Sequence, residues 1–205
     1  MATAHWVPTK TIWVCVHNTD YSERRKIPGN EGFADIEEAE TDAQNFKKGA
    51  KKLGARLVHL KMMPDAGYDD LKDLFSELQK ELLNAETSGQ KTLVFFYYAG
   101  HGVQKNFTFA VCNEEKLYPL EKMLRILATT KNCYVLGVLD CCRSEFKQNH
   151  RGYSAPGGGD QDTEGSQNNL ILTYGCPPSD TTPAKSTISV AYFDRLFQKA
   201  NDATG

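Results

Sequence analysis

Residues 92–102 read TLVFFYYAGHG, an apolar and aromatic run that ends abruptly at a His-Gly pair. Residues 133–144, CYVLGVLDCCRS, repeat this design and end at Asp140, Cys141 and Cys142. Runs of this composition are typical of strands buried on both faces of a parallel sheet. If the two strands are neighbours, an imidazole and a thiol meet at one edge of the sheet, which is the layout of a cysteine hydrolase.

The remaining chain alternates between strand-like and helix-like patterns, which predicts an α/β domain with a mostly parallel central sheet and helices on both faces. The predicted strands are residues 11–17, 55–60, 134–139 and 169–174, with a short extended piece at 107–112. The helices are predicted from apolar positions three or four residues apart over 33–53, 71–82, 119–127 and 190–197. Residues 62–68 are predicted to be a loop. Ligands of such open sheets gather beyond the carboxyl ends of the strands, where both reactive stretches lie.

The length and the net charge of the chain exclude several classes of function. A chain of 205 residues is expected to form one domain with a substantial core. A formal net charge of -2 gives no positive excess for gripping a phosphate backbone, so we expect no nucleic-acid partner. No apolar run is long enough for a membrane span, and the start, MATAHWVPTK, lacks a signal peptide's apolar core. We therefore expect a cytoplasmic protein without a membrane partner.

Six cysteines are scattered mainly through strand-like runs of this chain, which favours buried thiols over disulfides. The sequence has no C-x-x-C pair, and adjacent Cys141 and Cys142 would point to opposite sides of an extended backbone. We therefore predict no zinc site.

The two strand ends together carry the groups that a thiol peptidase needs. A thiolate is the nucleophile, and a nearby imidazolium lowers the pKa of a cysteine towards neutrality. His101 is the candidate because it directly follows one of the two predicted strands with reactive ends. His59 is predicted within a strand, and His17 is the last residue of the first strand. Without a side chain, the N–H of Gly102 can approach an oxyanion closely, with the N–H of Cys142 as the second donor.

The stretches FFYYAGHG and VLDCCRS resemble the histidine and cysteine motifs of caspase-like peptidases, over roughly residues 11–197. They are more similar to those of metacaspases and paracaspases, whose cysteine motif is Asp-x-Cys, than to the Gln-Ala-Cys-x-Gly of true caspases. The resemblance implies a caspase-like three-layer sandwich and a cysteine endopeptidase. It assigns Cys142 as the nucleophile and His101 as its proton-accepting partner.

The same resemblance implies an acidic pocket for the substrate. Residues 41–45, TDAQN, resemble a metacaspase stretch that supplies an acid, here Asp42; Asp140 resembles the second acid, and Asp180 falls where a further one is found. Such carboxylates favour an arginine or lysine side chain before the cut bond. Alternatives remain: Asp42 is simply solvated or lies within a capping box of Thr41 and Gln44, and Asp140 forms a turn.

Residues 146–168 divide the chain into a large-subunit-like region, 1–145, and a small-subunit-like region, 169–205. The divider is rich in glycine and polar residues, which predicts a mobile surface loop, and it matches the linker that is cut in many relatives. Lys147 and Arg151 are its candidate processing sites; an uncut loop is the alternative. The acidic stretch 160–164 leaves loosely bound calcium open as a cofactor, because some metacaspases need that ion.

Caspase-like folds usually add a last strand after the final helix, and nothing after Lys199 is typical of one. Three alternatives follow: a fragment of a longer protein, a partner that completes the sheet, and an inactive or regulatory family member that acts by binding. A peptidase that cuts after aspartate is a further alternative. A nucleotide-binding domain is disfavoured, since no glycine-rich phosphate loop follows the first strand.

Overall fold

A computed structural model describes residues 7–21, 33–54, 59–113, 116–142, 144–145 and 169–175. Three helices lie in these ranges: α1 (Glu38–Lys52), α2 (Tyr68–Thr87) and α3 (Leu120–Leu127). The strands are β1 (Lys10–His17), β2 (Leu60–Pro64), β3 (Thr92–Ala99), β4 (Gly102–Gln104), β5 (Thr108–Val111), β6 (Leu117–Tyr118), β7 (Cys133–Asp140), β8 (Ser144–Glu145) and β9 (Leu170–Tyr174). The predicted linker loop and the helix at 190–197 lie outside the described residues.

The larger sheet has the order β2-β1-β3-β7-β9, and all of these described strands run parallel. The two runs with reactive ends, β3 and β7, are therefore central neighbours, as the sequence predicts. Each is almost fully buried, which explains why their residues are apolar without alternation. The predicted α/β class is confirmed.

Helices cover both faces of this sheet. On one face, Ala39, Ala43, Phe46 and Ala50 of α1 pack against Trp13, Phe95 and other residues of the sheet. On the other face lie the apolar sides of α2 and α3, with their leucines packed on Val14, Phe96 and Val135. The spacing of these helical residues every three or four positions is the pattern from which the helices were predicted.

Both predicted boundaries of the first helix are wrong. The first helix begins at Glu38, because Phe33 and Ile36, which fit the helical spacing, lie in the preceding segment and pack with Tyr21. Leu53 likewise fits the spacing but is 41% exposed beyond the helix end. Each of these three side chains fits the helical spacing of apolar residues, although none of them belongs to the buried face of α1.

The second strand is Leu60–Pro64, so the prediction of a loop from residue 62 is wrong. The run LKMMP lies at the edge of the described sheet and is only partly buried, and methionine is not a typical strand former. His59 precedes this strand rather than lying in it, and residues 55–58 lie outside the described part.

A second, four-stranded sheet with the order β6-β5-β4-β8 extends the domain beyond the rim of the larger one. Only β5 of this sheet corresponds to a predicted extended piece, residues 107–112. Its strands have two to four residues, too few for a periodic pattern to be visible in the sequence. None of the three described helices is long and apolar enough to cross a membrane.

Candidate active site

His101 and Cys142 follow adjacent strands at equivalent positions. In the larger sheet Ala99 is paired with Asp140, and in the smaller sheet Val103 is paired with Ser144. The partners are 41 positions apart in both cases (140 − 99 and 144 − 103), and so are His101 and Cys142 (142 − 101). The two segments leave one sheet and enter the next in the same register, which brings His101 and Cys142 opposite each other at the rim.

Gly102 lies directly against the cysteine pair. A Cβ atom at this position would lie 2.6 Å from Cys141 Sγ and 2.7 Å from the carbonyl oxygen of Cys142. Contacts this short exclude any side chain, so a glycine is required for the two segments to approach. Cys141 is buried and Cys142 is partly exposed.

The imidazole of His101 is held by the segment before α1. Its Nε2 atom is 2.8 Å from the carbonyl oxygen of Ala34, and its ring lies 4.6 Å from that of Phe33 and 4.7 Å from that of Tyr21. A carbonyl oxygen only accepts hydrogen bonds, so Nε2 carries the proton in this bond. The neutral ring then has Nδ1 as its basic nitrogen, the atom that can accept a proton.

Asp140 and Asp42 share the face of the sheet that α1 covers. Tyr97 Oη donates to Asp140 Oδ2 at 3.2 Å, and the Tyr97 ring stacks on Phe46 of α1 with centroids 5.4 Å apart. Asp42 lies one helical turn before Phe46 on the buried side of α1. The structure therefore brings both predicted acids to one side of the sheet.

The alternatives for these acids do not hold. Asp42 is only 8% exposed, so it is not a solvated surface residue. Thr41 and Gln44 form no capping box, since both lie inside α1 and Gln44 Nε2 donates to Glu40 Oε1 at 2.7 Å. Asp140 is 7% exposed and belongs to β7 rather than to a turn.

A glycine also makes room for the carboxylate of Asp140. Gly175 follows β9, and its N–H donates to the carbonyl oxygen of Leu139 at 2.9 Å. A Cβ atom on Gly175 would collide with Asp140 Oδ1. The end of β9 therefore closes one side of the space around this acid.

His17 ends β1 on the same face, as the sequence predicts. Its Nε2 atom lies 2.7 Å from Glu40 Oε2 of α1. Hydrogen bonds from Gln44 and His17 hold the pKa of the Glu40 carboxyl below its usual value. His17 is thus engaged with α1, while His101 is the histidine beside the cysteines.

Two other thiols, those of Cys133 and Cys15, are in unreactive surroundings. Burial raises the pKa of Cys133 to about 12. It also raises the pKa of Cys15 well above its usual range, and the nearby charges of Glu40 and Asp42 add to this effect. The five cysteines in the described ranges are thiols and not disulfides, which agrees with the expectation from the sequence.

Several predicted residues lie outside the described part of the chain: Asp180, Lys147, Arg151 and the acidic stretch 160–164. Among the described residues, no group of three or more histidines, cysteines and acids is arranged to hold a metal ion.

Sequence reasoning missed the residues that surround His101 and Asp140. Ala34 acts through its backbone carbonyl, which leaves no signature in a sequence. Tyr97 and Tyr98 had a signal: hydroxyls in a buried strand must find partners, and adjacent residues face opposite sides of a sheet. Tyr97 reaches Asp140, and Tyr98 reaches the His101 backbone.

The protein is of the α/β class, with a histidine and a cysteine beyond the ends of two central parallel strands. A family model described as the caspase domain matches residues 16–204. The chain therefore belongs to the caspase family, which is a family of cysteine peptidases. A comparison with curated proteins gives no match.

Proposed function

We propose that this protein is a cysteine endopeptidase that cleaves peptide bonds after arginine or lysine. The observation that carries the proposal is the shared register of His101 and Cys142 on two adjacent parallel segments. It supports a dyad in which Cys142 attacks the scissile carbonyl and His101 takes the thiol proton at Nδ1. The bond from Nε2 to Ala34 fixes the tautomer that this transfer requires.

The backbone around Gly102 supports an oxyanion site. The carbonyl oxygen of His101 accepts from the N–H of Val111, so the facing residues Gly102 and Ala110 form a non-hydrogen-bonded pair. The N–H of Gly102 therefore points away from β5, on the side of β4 where the cysteines lie. Together with the N–H of Cys142, it is the donor we assign to the tetrahedral intermediate; losing one such donor costs about 3 to 4 kcal/mol of barrier.

The preference for a basic residue rests on Asp42 and Asp140. Both are largely buried, and both lie on the side of the sheet that α1 covers. Two carboxylates with little access to water favour a cation that pairs with them. Asp180 is proposed as a further acid of this pocket on the motif resemblance alone. The substrates are then proteins or peptides with basic residues.

The Asp-Cys-Cys order of residues 140–142 favours a protein of the metacaspase or paracaspase type within the family. In this proposal the linker at 146–168 is a target of the enzyme itself, with Lys147 and Arg151 as the cut sites. No cofactor is required for the thiol chemistry itself, and activity measured with and without a chelator decides whether calcium takes part.

The function is tested with fluorogenic peptides that end in arginine, lysine or aspartate. We expect turnover of the arginyl and lysyl peptides, its loss in Cys142→Ala, and its retention in the matched control Cys141→Ala. Turnover of the aspartyl peptide alone would remove the acidic pocket and leave the peptidase. No turnover of any peptide, with or without calcium, would favour the regulatory binding domain instead.

A further inference from the structure

Two tyrosine hydroxyls hold the backbone of His101 at both of its polar groups. The N–H of His101 donates to Tyr21 Oη at 2.9 Å, and Tyr98 Oη donates to the carbonyl oxygen of His101 at 2.8 Å. These two hydrogen bonds hold the peptide groups on both sides of His101.

The hydroxyls keep their protons because they are shielded from water. Tyr21 and Tyr98 are both fully buried, and burial raises the pKa of each phenol well above its usual range. Both phenols therefore keep their protons at neutral pH. Tyr98 Oη also lies 3.5 Å from the carbonyl oxygen of Val111, too far to compete with the bond to His101.

Gly100 lets the chain reach these hydroxyls. Its φ of +155° is a backbone conformation that favours glycine. A Cβ atom at this position would lie 2.8 Å from Tyr98 Oη and 2.9 Å from Tyr21 Oη, so the close approach also requires a glycine. The backbone before His101 therefore rests directly on the two phenol oxygens. Any shift of either tyrosine changes the position of His101.

Tyr21 also fixes the segment that orients the His101 ring. Its backbone N–H donates to Asp35 Oδ1 at 2.9 Å, and the N–H of Ile36 donates to the carbonyl oxygen of Thr19 at 3.0 Å. These bonds tie residues 33–36 to residues 19–21. Ala34 lies in the same segment, between Phe33 and Asp35. Its carbonyl oxygen accepts the hydrogen bond from Nε2 of His101.

We propose that Tyr21 is the positioning residue of the His101–Cys142 pair, acting on the His101 backbone through its hydroxyl and on the His101 ring through the segment 33–36. The proposal rests on the proposed function, since it assumes that His101 exchanges a proton with Cys142. It extends that function by assigning a role to a residue that contacts neither the thiol nor the substrate.

The test is Tyr21→Phe, which removes one hydroxyl and keeps the ring that packs on His101. Misplacing a reacting group by about 1 Å costs up to 10²-fold in rate, so we expect kcat to fall roughly ten- to a hundredfold while KM changes little. Activity is expressed per active site, after titration with an irreversible inhibitor. Tyr118→Phe is the matched control, because Tyr118 is also a buried tyrosine but stacks on Phe75.

A second measurement does not depend on hydrolysis. Amide hydrogen exchange in a peptide covering residues 99–103 should rise at least about tenfold in Tyr21→Phe and stay unchanged in Tyr118→Phe, since only the first loses the acceptor of the His101 N–H. Unchanged exchange, or faster exchange with unchanged kcat, would overturn the positioning role. A wild-type chain without peptidase activity would remove the proposed function, and the exchange comparison would still decide whether Tyr21 holds His101.

Discussion

His101 and Cys142 stand opposite each other because two parallel segments keep one register through two sheets. The pairs on either side of them, Ala99 with Asp140 and Val103 with Ser144, have the same separation in sequence as His101 and Cys142. The relationship depends on the backbone and on Gly102, which lets the segments touch. A site built at the ends of rigid central strands is positioned more accurately than one on free loops.

The thiols are expected to differ strongly in reactivity. Cys133 has a pKa of about 12, so at pH 7.5 its thiolate fraction is on the order of 10⁻⁴ or less. Cys15 is shielded further by burial. We expect iodoacetamide at pH 7.5 to label Cys142 first among the described cysteines, and the two buried ones only after unfolding. Peptide mapping by mass spectrometry measures this, and equal labelling of Cys133 in the native protein would contradict the burial account.

The pocket acids should control the choice of substrate. Asp42→Asn and Asp140→Asn each remove a buried charge, and we expect kcat/KM for an arginyl peptide to fall about 10- to 100-fold, the equivalent of about 1.4 to 2.7 kcal/mol. Asp73→Asn, an exposed carboxylate on α2, is the control and should change nothing. Steady-state kinetics with arginyl and neutral peptides measure the effect. An equal loss for both peptides would show that the acids are structural.

Gly102→Ala should separate catalysis from stability. The new methyl group would meet Cys141 Sγ and the Cys142 carbonyl, so we expect a loss of about 1 to 3 kcal/mol in the free energy of unfolding. Because the oxyanion donor moves as well, activity per folded molecule should fall about 10²-fold or more.

Gly137→Ala is the control for this substitution. Its methyl group would meet Leu172 Cδ2 at 2.6 Å inside the sheet, away from the rim. We expect a similar loss of stability, measured by urea unfolding, with activity per folded molecule nearly unchanged. Equal losses of activity in both variants would mean that Gly102 has no catalytic part.

Much of the fold was predictable because its central strands are long, fully buried and therefore continuously apolar. β3 and β7, with their reactive ends, could be placed as neighbours before any coordinates were known. The sequence predicts a loop over the second half of β2, because LKMMP looks less like a strand than ARLVHL does. The four-stranded sheet was missed because its strands are too short to show a period and depend on the rim of the larger sheet.

The same contrast holds for the site. The acids Asp42 and Asp140 could be predicted from a motif resemblance, since the role proposed for each belongs to its own side chain. Phe33 was assigned to a helix because it fits the spacing, although it packs on the ring of His101. Ala34 and Tyr21 contact His101 through a carbonyl and a hydroxyl that meet it only after folding, at sequence separations of 67 and 80.

Stability in acid should depend on Glu121. This carboxylate is buried, accepts bonds from the N–H and hydroxyl of Thr108 at 3.0 Å, and pairs with Arg125 at 2.7 Å. Burial alone would raise its pKa, but these bonds outweigh burial and hold the pKa below its usual value. Its contribution is therefore full above about pH 4.3 and is lost as pH falls through the lower folded pKa.

The variant Glu121→Gln tests the direction of this pKa shift. We expect it to lower the free energy of unfolding by about 1 to 3 kcal/mol at pH 7, with a smaller difference from the wild type below pH 4. Urea unfolding at both pH values measures the change. Glu77→Gln, on an exposed pair with Lys61, should have little effect at either pH. A deficit of Glu121→Gln that grows in acid would contradict the assigned direction.

Self-cleavage should reveal both the nucleophile and the preference. Incubated wild-type chain is expected to be cut after Lys147 or Arg151, and Cys142→Ala is expected to stay intact unless wild-type enzyme is added. Intact-mass spectrometry locates the cuts, and Lys147→Ala with Arg151→Ala should remove them. Cuts in the Cys142→Ala chain when no wild-type enzyme is added would point to a contaminating protease.

The central claim is that Cys142 is the nucleophile and His101 activates it beside an acidic pocket. The most direct measurement is the mass of the protein after treatment with an arginyl chloromethylketone, with the adduct mapped to its residue. We predict one adduct on Cys142 in the wild type, none in Cys142→Ala, and a much slower reaction in His101→Ala. An adduct on another residue, or an unchanged rate without His101, would contradict the account.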